Sequence, residues 1–155
     1  MKTIPESFID TLRVSLPENS ILTDPKELAP YLKEERGILE SSCEMVIRPA
    51  ETKDIVKVVT LCSKYEVSVI PIGGNTGLVG GGVANGGVII SLERLNKIIG
   101  IDTLNHTMIV EAGCVLANIQ IAAQNAGCLF PLSLGAEGSC QIGGNLATNA
   151  GGVNV

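Results

Sequence analysis

The chain has 155 residues, 45% of them hydrophobic, no tryptophan and a formal net charge of −5. A chain of this length buries about 68–70% of its unfolded surface, which is enough for one domain with an aliphatic core or for two small lobes. The acidic balance and the lack of a basic cluster argue against a nucleic-acid surface and against an anionic-membrane surface.

The cysteines and the first residues of the chain indicate the cellular compartment of the protein. The five cysteines are odd in number and include no C-x-x-C pair, which argues against a disulfide framework and a zinc knuckle. We expect buried free thiols in a reducing compartment. The first eight residues carry an acid and a proline where a signal peptide has an apolar run. The sequence predicts a cytoplasmic protein, with association at the cytoplasmic side of a membrane as an alternative.

The N-terminal part of the chain is predicted to be helical. Apolar residues recur at helical spacing over residues 4–14. Asp24 and Pro25 belong to an N-cap cluster that opens a second helix, which is expected to end near residues 36–37. We expect both helices to be peripheral, and we assign residues 1–40 to an N-terminal helical segment.

A strand-helix-strand pattern follows. Residues 44–49 form a strand closed by a proline, residues 51–65 form a helix, and residues 67–72 form the next strand. Such a βαβ unit has parallel strands and a right-handed crossover. Residues 88–92 are predicted as a third strand.

The pattern then changes to a β-hairpin and a helix. Residues 98–102 and 107–111 are predicted as hairpin strands, and residues 115–124 as a helix. The predicted fold class is α+β, with a small parallel βαβ lobe followed by a mixed or antiparallel β lobe with helices. We assign residues 41–155 to one domain.

The stretch Pro71-Ile-Gly-Gly-Asn-Thr-Gly-Leu-Val-Gly-Gly-Gly82, called here the first glycine segment, has six glycines among twelve residues and no charge. Backbone without Cβ atoms lies directly against a ligand, and successive amides form an anion-binding nest. The segment follows the carboxyl end of a predicted strand, where α/β sheets place their ligands. It lies within the uncharged residues 67–92, whose eight glycines and one proline argue against a transmembrane segment.

Residues 134–152, called here the second glycine segment, lie in a part of the chain with very little charge. After Glu111 the only charged residue is Glu137. Such a sequence is not a normal solvated surface. We expect it to pack against a cofactor, or against protein that follows it in a longer chain, so that the domain is incomplete at its C-terminal end.

The two glycine segments together favour a cofactor site, although either alone is equally well explained as a turn. Neither the Walker G-x-x-x-x-G-K-[ST] motif nor G-x-G-x-x-G occurs, which disfavours a Walker ATPase and a Rossmann NAD domain. Uncharged polar side chains suit a dinucleotide because they donate and accept hydrogen bonds without adding charge. They are Asn75, Thr76, Ser139, Asn145, Thr148 and Asn149.

Residues 71–81 followed by residues 131–152 resemble the PCMH-type FAD-binding domain of the FAD-linked oxidases in the vanillyl-alcohol oxidase superfamily. The D-2-hydroxyglutarate and D-lactate dehydrogenase branch is the most similar. Residues 91–98 and 110–113 agree with the same pattern, and the likeness extends from about residue 24 to the end.

The resemblance implies that both segments bind FAD, the first around its pyrophosphate. Relatives that attach flavin covalently have a histidine at the position of Asn75, and an amide is not that nucleophile, so noncovalent FAD is expected. Cys140 is implied to be a structural neighbour of the flavin. His106 is expected to be an exposed turn residue. The implied cofactor-binding residues are Ile72, Gly73, Gly74, Asn75, Thr76, Gly77, Leu78, Leu134, Gly135, Gly138, Ser139, Ile142, Gly143, Gly144, Asn145, Thr148, Asn149 and Gly151.

The resemblance also implies a reaction. In this family the flavin accepts a hydride from C2 of a D-2-hydroxy acid such as 2-hydroxyglutarate, lactate or glycolate, while a base removes the hydroxyl proton. The family's base, substrate arginine and metal ligands lie in a later region, so no catalytic or metal residue is assigned here, and the fragment alone is expected to be inactive.

Other questions stay open at this point. The sequence identifies neither the electron acceptor nor the oligomeric state, for which a homodimer is one alternative. A catalytically inert nucleotide-binding module and the NADPH-dependent sugar-nucleotide reductase branch of the same superfamily are the alternative functions.

Overall fold

The computed structural model describes residues 4–152, which fold into two lobes. The first lobe contains a four-stranded sheet with helices on both faces, and the second contains a hairpin with helices. In chain order the first lobe consists of α1 (Glu6–Ser15), β1 (Ile21–Leu22), α2 (Pro25–Leu32), β2 (Met45–Ile47), α3 (Thr52–Tyr65), β3 (Val69–Ile72) and β4 (Val88–Ser91).

The sheet of the first lobe has the strand order β1-β2-β4-β3. β4 is parallel to both β2 and β3, so that Val88 is in register with Met45 on one side and with Val69 on the other. β1 pairs with β2 in the antiparallel direction. The predicted parallel βαβ unit is confirmed, and the structure adds that β4 lies between its two strands. The carboxyl ends of all three parallel strands therefore meet at one edge of the sheet.

One face of this sheet is covered by α1 and α3. Side chains alternate along a strand, so Met45 and Ile47 of β2 share this face. Phe8 and Leu12 of α1 are completely buried in the same cluster, and the ring of Phe8 packs edge-on against Tyr65, with 5.7 Å between ring centroids. The prediction that α1 is peripheral is wrong, because its apolar stripe supplies a large part of the main core.

The opposite face is covered by α2. Leu28 of this helix packs in a cluster with Val46 and Ile72. The predicted N-cap is confirmed, since the Asp24 carboxylate accepts a hydrogen bond of 2.8 Å from the backbone N–H of Lys26. The helix ends at Leu32, earlier than predicted. After it the chain turns around the buried carboxylate of Glu34, which accepts a hydrogen bond of 3.0 Å from the N–H of Ile38.

The second lobe begins with a hairpin of β5 (Ile98–Asp102) and β6 (Thr107–Val110), followed by α4 (Leu116–Asn125) and α5 (Ile142–Ala147). Its core joins Cys114 and Ile119 to Ile142, with Ile98 of the hairpin packed against them. The predicted α+β class, with a parallel lobe followed by an antiparallel one, is confirmed. The sequence did not predict α5, because two of its six residues are glycine, which disfavours helix formation. The domain boundary near residue 40 stays a prediction.

The burial of α1 leads to a prediction about stability. Phe8→Ala removes a fully buried ring and should lower the free energy of unfolding by about 3–5 kcal/mol. Val14→Ala changes a side chain of the same helix that is 90% exposed, and should have little effect. Urea unfolding of both variants measures this difference. Equal loss in the two variants would show that α1 is not part of the core.

Candidate functional site

The two glycine segments meet in space, although they are far apart in the sequence. A Cβ on Gly74 would overlap the carbonyl oxygen of Ser139 and come within 3.1 Å of the Cα of Cys140. A Cβ on Gly73 would come within 3.2 Å of the Cβ and Oε1 of Gln141. Position 74 therefore requires glycine, because any side chain there would push the two segments apart.

A cleft of about 430 Å³ opens beside this junction. Its volume is in the range of small-molecule and cofactor sites. It lies between α2 and the carboxyl edge of the parallel sheet, where ligands bind in α/β folds. Its lining residues come from β1, α2, the ends of β2 and β4, and both glycine segments; they are Leu22, Glu27, Pro30, Tyr31, Arg48, Ile72, Gly73, Gly74, Asn75, Glu93 and Gln141.

Asn75 holds the first glycine segment against α2. Its backbone is in the left-handed region, with φ of 51°, which asparagine tolerates better than most residues. Its side-chain Nδ2 donates a hydrogen bond of 2.7 Å to the carbonyl oxygen of Lys33, the residue that follows α2. The amide side chain expected to assist FAD binding thus has a structural partner in the protein.

The other predicted residues of the first glycine segment differ in exposure. Ile72 is buried in the core beneath α2 and also lines the cleft. Thr76 is half-buried, whereas Gly77 and Leu78 are exposed. The segment thus has a fixed base at the sheet and an exposed outer part.

The second glycine segment is organised around α5. The N–H of Gly143 donates a hydrogen bond of 2.8 Å to the carbonyl oxygen of Ala112, which places the helix against the residues that follow β6. Ile142 faces the core of the second lobe. Asn145 is buried, and its Oδ1 has no hydrogen-bond partner among residues 4–152. Apart from its chain neighbours and the backbone of its own helix, no described heavy atom lies within 4 Å of a Cβ placed on Gly144.

The remaining predicted residues surround this helix. A Cβ on Gly152 would overlap the carbonyl oxygen of Ser133, so the last residue of the second glycine segment contacts the residue that precedes the segment. The hydroxyl of Thr148 donates a hydrogen bond of 2.9 Å to the carbonyl oxygen of Gly144, and Asn149 has a positive φ of 49°. Leu134 packs beside Leu132 and Cys140. Gly135, Gly138, Ser139 and Gly151 are exposed, as are Gly144, Thr148 and Asn149.

A polar cluster that the sequence did not reveal also lines the cleft. Arg48 Nε forms an ion pair with Glu93 Oε1, and the Tyr31 hydroxyl donates a hydrogen bond of 2.9 Å to the same oxygen. Burial, followed by this hydrogen bond, raises the pKa of Tyr31 to about 12. Arg48 and Glu93 follow the ends of β2 and β4. The sequence placed Glu93 directly after a predicted strand, whereas Arg48 fell inside the predicted strand 44–49.

Other chemistry-bearing residues do not join the cleft lining. The five cysteines are free, as predicted, but Cys43 and Cys128 are half-buried and not fully buried as expected. Burial raises the pKa of the Cys62 thiol to about 11. His106 lies exposed in the hairpin turn, also as predicted. Within residues 4–152, no cluster of three or more His, Cys, Asp or Glu side chains has the arrangement to hold a metal ion. None of the helices in the same range is long and apolar enough to cross a membrane.

Comparison with known proteins agrees with this geometry. A family model described as an FAD binding domain matches residues 43–155. A probable mitochondrial D-2-hydroxyglutarate dehydrogenase of Oryza sativa subsp. indica is 40% identical over 139 residues, which are 89% of this chain and 25% of the relative. A D-2-hydroxyglutarate dehydrogenase of Xanthomonas citri pv. viticola is 37% identical over 94% of this chain and 31% of the relative. The chain thus spans about a quarter to a third of the length of these relatives.

Solved structures share the fold at low sequence identity. An alkyldihydroxyacetonephosphate synthase has a TM-score of 0.86 and 20% identity over 97% of this chain and 33% of the other. A p-cresol methylhydroxylase has a TM-score of 0.70 and 21% identity over 84% of this chain and 27% of the other.

The junction of the two glycine segments leads to a prediction about stability. Gly74→Ala should lower the free energy of unfolding by about 1–3 kcal/mol, because the methyl group overlaps the Ser139 carbonyl and forces the backbone to shift. The matched control is Gly144→Ala in α5, where the methyl group has open space and alanine should gain about 0.5–1 kcal/mol. Thermal and urea unfolding of the cofactor-free protein measure the stability of the two variants. Equal stability would contradict the close contact between Gly74 and Ser139.

Proposed function

Because this chain belongs to the family of FAD binding domains, we propose that it is the cofactor-binding part of a flavin-dependent dehydrogenase or oxidase that oxidises a D-2-hydroxy acid. FAD is the cofactor. The proposed substrate class, with 2-hydroxyglutarate, lactate and glycolate as its candidates, is supported by relatives named D-2-hydroxyglutarate dehydrogenases. The structural observation that supports it best is the contact of the two glycine segments beside one cleft.

The chemistry of the residues present fits FAD. Gly73 and Gly74 line the cleft, and because they have no side chains, the Gln141 side chain and the Ser139 carbonyl pack closely against them. The first segment carries no charge, so we propose that its backbone amides hold the pyrophosphate, as in other anion-binding nests. Gly144 has open space where a side chain would be, which leaves room for a close ligand at α5.

We assign the proposed site residues in two groups. The first is Gly73, Gly74, Asn75, Thr76 and Gly77, with Ile72 and Leu78 at its ends. In it Asn75 contributes through its backbone, because its side chain is bonded to Lys33. The second group is Gly138, Ser139, Gly143, Gly144, Asn145, Thr148 and Asn149, with Leu134, Gly135, Ile142 and Gly151 as supporting neighbours.

The cofactor is proposed to be held noncovalently, because Asn75 has no nucleophilic side chain. When bound, FAD supplies the acceptor for the hydride that leaves C2 of the hydroxy acid. The task of this chain is to bind and orient the cofactor through the two glycine segments. The base and the groups that recognise the substrate are proposed to lie in other parts of the complete protein.

The experiment that tests the function uses the complete protein. It should purify with a flavin spectrum and release FAD on denaturation. Anaerobic addition of D-2-hydroxyglutarate, D-lactate or glycolate should bleach the flavin absorbance, whereas L-2-hydroxyglutarate and L-lactate should have no effect. A protein that holds flavin but is reduced by none of these acids would contradict the dehydrogenase. Reduction by NADPH instead would indicate a sugar-nucleotide reductase.

The location and partners belong to the same proposal. A cytoplasmic protein is proposed, although the rice relatives carry the word mitochondrial in their names. The electron acceptor and a homodimeric assembly are to be determined on the complete protein. Cell fractionation tests the location, and light scattering tests the homodimer.

Gly144→Val tests the position of the cofactor. Outside its chain neighbours and the backbone of its own helix, the valine Cβ meets no described residue within 4 Å, so the fold should persist while the space for the ligand is reduced. We expect FAD affinity to fall about tenfold or more, equivalent to about 1.4 kcal/mol or more. Gly100→Val in β5 is the control, because a Cβ there also has open space and lies outside both glycine segments. Equal flavin content in the two variants would refute the site assignment.

A further inference from the structure

Gln141 is a buried polar residue in the cleft that the glycine motifs do not identify. It lies between Cys140 and the first residue of α5, and it is 8% exposed. Its Oε1 is buried and finds no hydrogen-bond partner within the part of the chain that the structure describes. The same oxygen lies 3.2 Å from the position that a Cβ on Gly73 would occupy, so the amide borders the base of the first glycine segment.

An acceptor buried without a partner lowers the stability of a protein, because it loses its water without replacement. An isosteric apolar side chain at position 141 would avoid this loss. The neighbouring Arg48 Nε, by contrast, is paired with Glu93. The carboxylate of Glu93 also accepts a hydrogen bond from the Tyr31 hydroxyl, so these three cleft residues are already paired with one another. Gln141 therefore brings to the cleft wall a buried hydrogen-bond acceptor that a ligand can satisfy.

The chemistry of the unpaired atom limits the group that it meets. Oε1 is an acceptor and needs an O–H or N–H donor. The pyrophosphate of FAD carries acceptor oxygens alone, whereas the sugars bonded to either side of it, ribityl and ribose, carry hydroxyl groups. If the amides of residues 73–77 held the pyrophosphate, as proposed above, a flanking sugar would come next to Gly73 and hence next to Gln141.

We propose that Gln141 positions FAD by accepting a hydrogen bond from a sugar hydroxyl that flanks the pyrophosphate. The hydroxyl belongs to the ribityl chain or to the adenosine ribose, which share this chemistry. The proposal rests on the FAD-binding function and adds a side-chain contact to a site that otherwise relies on backbone amides.

The test compares Gln141→Leu with Gln124→Leu in the complete protein. Both changes replace an amide by an apolar group of similar size, but Gln124 is exposed on α4. Cofactor-free protein is titrated with FAD by fluorescence quenching, and its melting temperature is measured in parallel. We expect Gln141→Leu to weaken FAD binding about tenfold while the melting temperature of the cofactor-free protein stays equal or rises. Gln124→Leu should change neither quantity.

Competition experiments identify the sugar. If ribityl is the partner, Gln141→Leu weakens competition by FMN and leaves competition by ADP unchanged; if ribose is the partner, the reverse holds. FAD affinity within twofold of wild type, or a loss of affinity accompanied by a lower melting temperature, would overturn the proposal. Gln141→Met serves the same comparison if the leucine variant does not fold. Failure of the wild-type protein to bind FAD would instead refute the proposed function.

Discussion

The close approach of Gly74 to the carbonyl oxygen of Ser139 is the contact on which the rest of the site depends. It joins a loop fixed by the parallel sheet to a segment of the second lobe, and it leaves no room for a side chain. Because of this contact, two stretches that are separate in sequence border one cleft, the first through residues 72–75 and the second through Gln141. We propose that a site made in this way binds an anionic cofactor through backbone amides, without a lysine or arginine in either segment.

The sheet and the first loop were predictable from local patterns. Apolar strands around an amphipathic helix indicated parallel pairing, and ligands bind at the carboxyl edge of such sheets. The paired glycine segments indicated a bipartite site, and the structure brings them together at Gly73 and Gly74. These features follow from periodicity and from the backbone freedom of glycine, which a single sequence contains.

Features that depend on tertiary contacts were not predictable. The burial of Phe8 in the main core and the insertion of β4 between β2 and β3 are settled by packing between distant elements. The helix α5 was not predicted because two of its six residues are glycine. The side chain of Asn75 bonds to Lys33, and the Oε1 of Gln141 is buried without a partner among the described residues, because of how α2 and the second lobe are placed. Neither residue type signals such a role in the sequence.

Hydrogen–deuterium exchange of the complete protein, with and without FAD, tests the central claim that the two glycine segments form one cofactor site. The account predicts that FAD slows amide exchange in both residues 73–77 and residues 138–149, with the same dependence on FAD concentration. Exchange in the β5–β6 hairpin should not change. Protection of one segment alone, or of neither, would contradict the account.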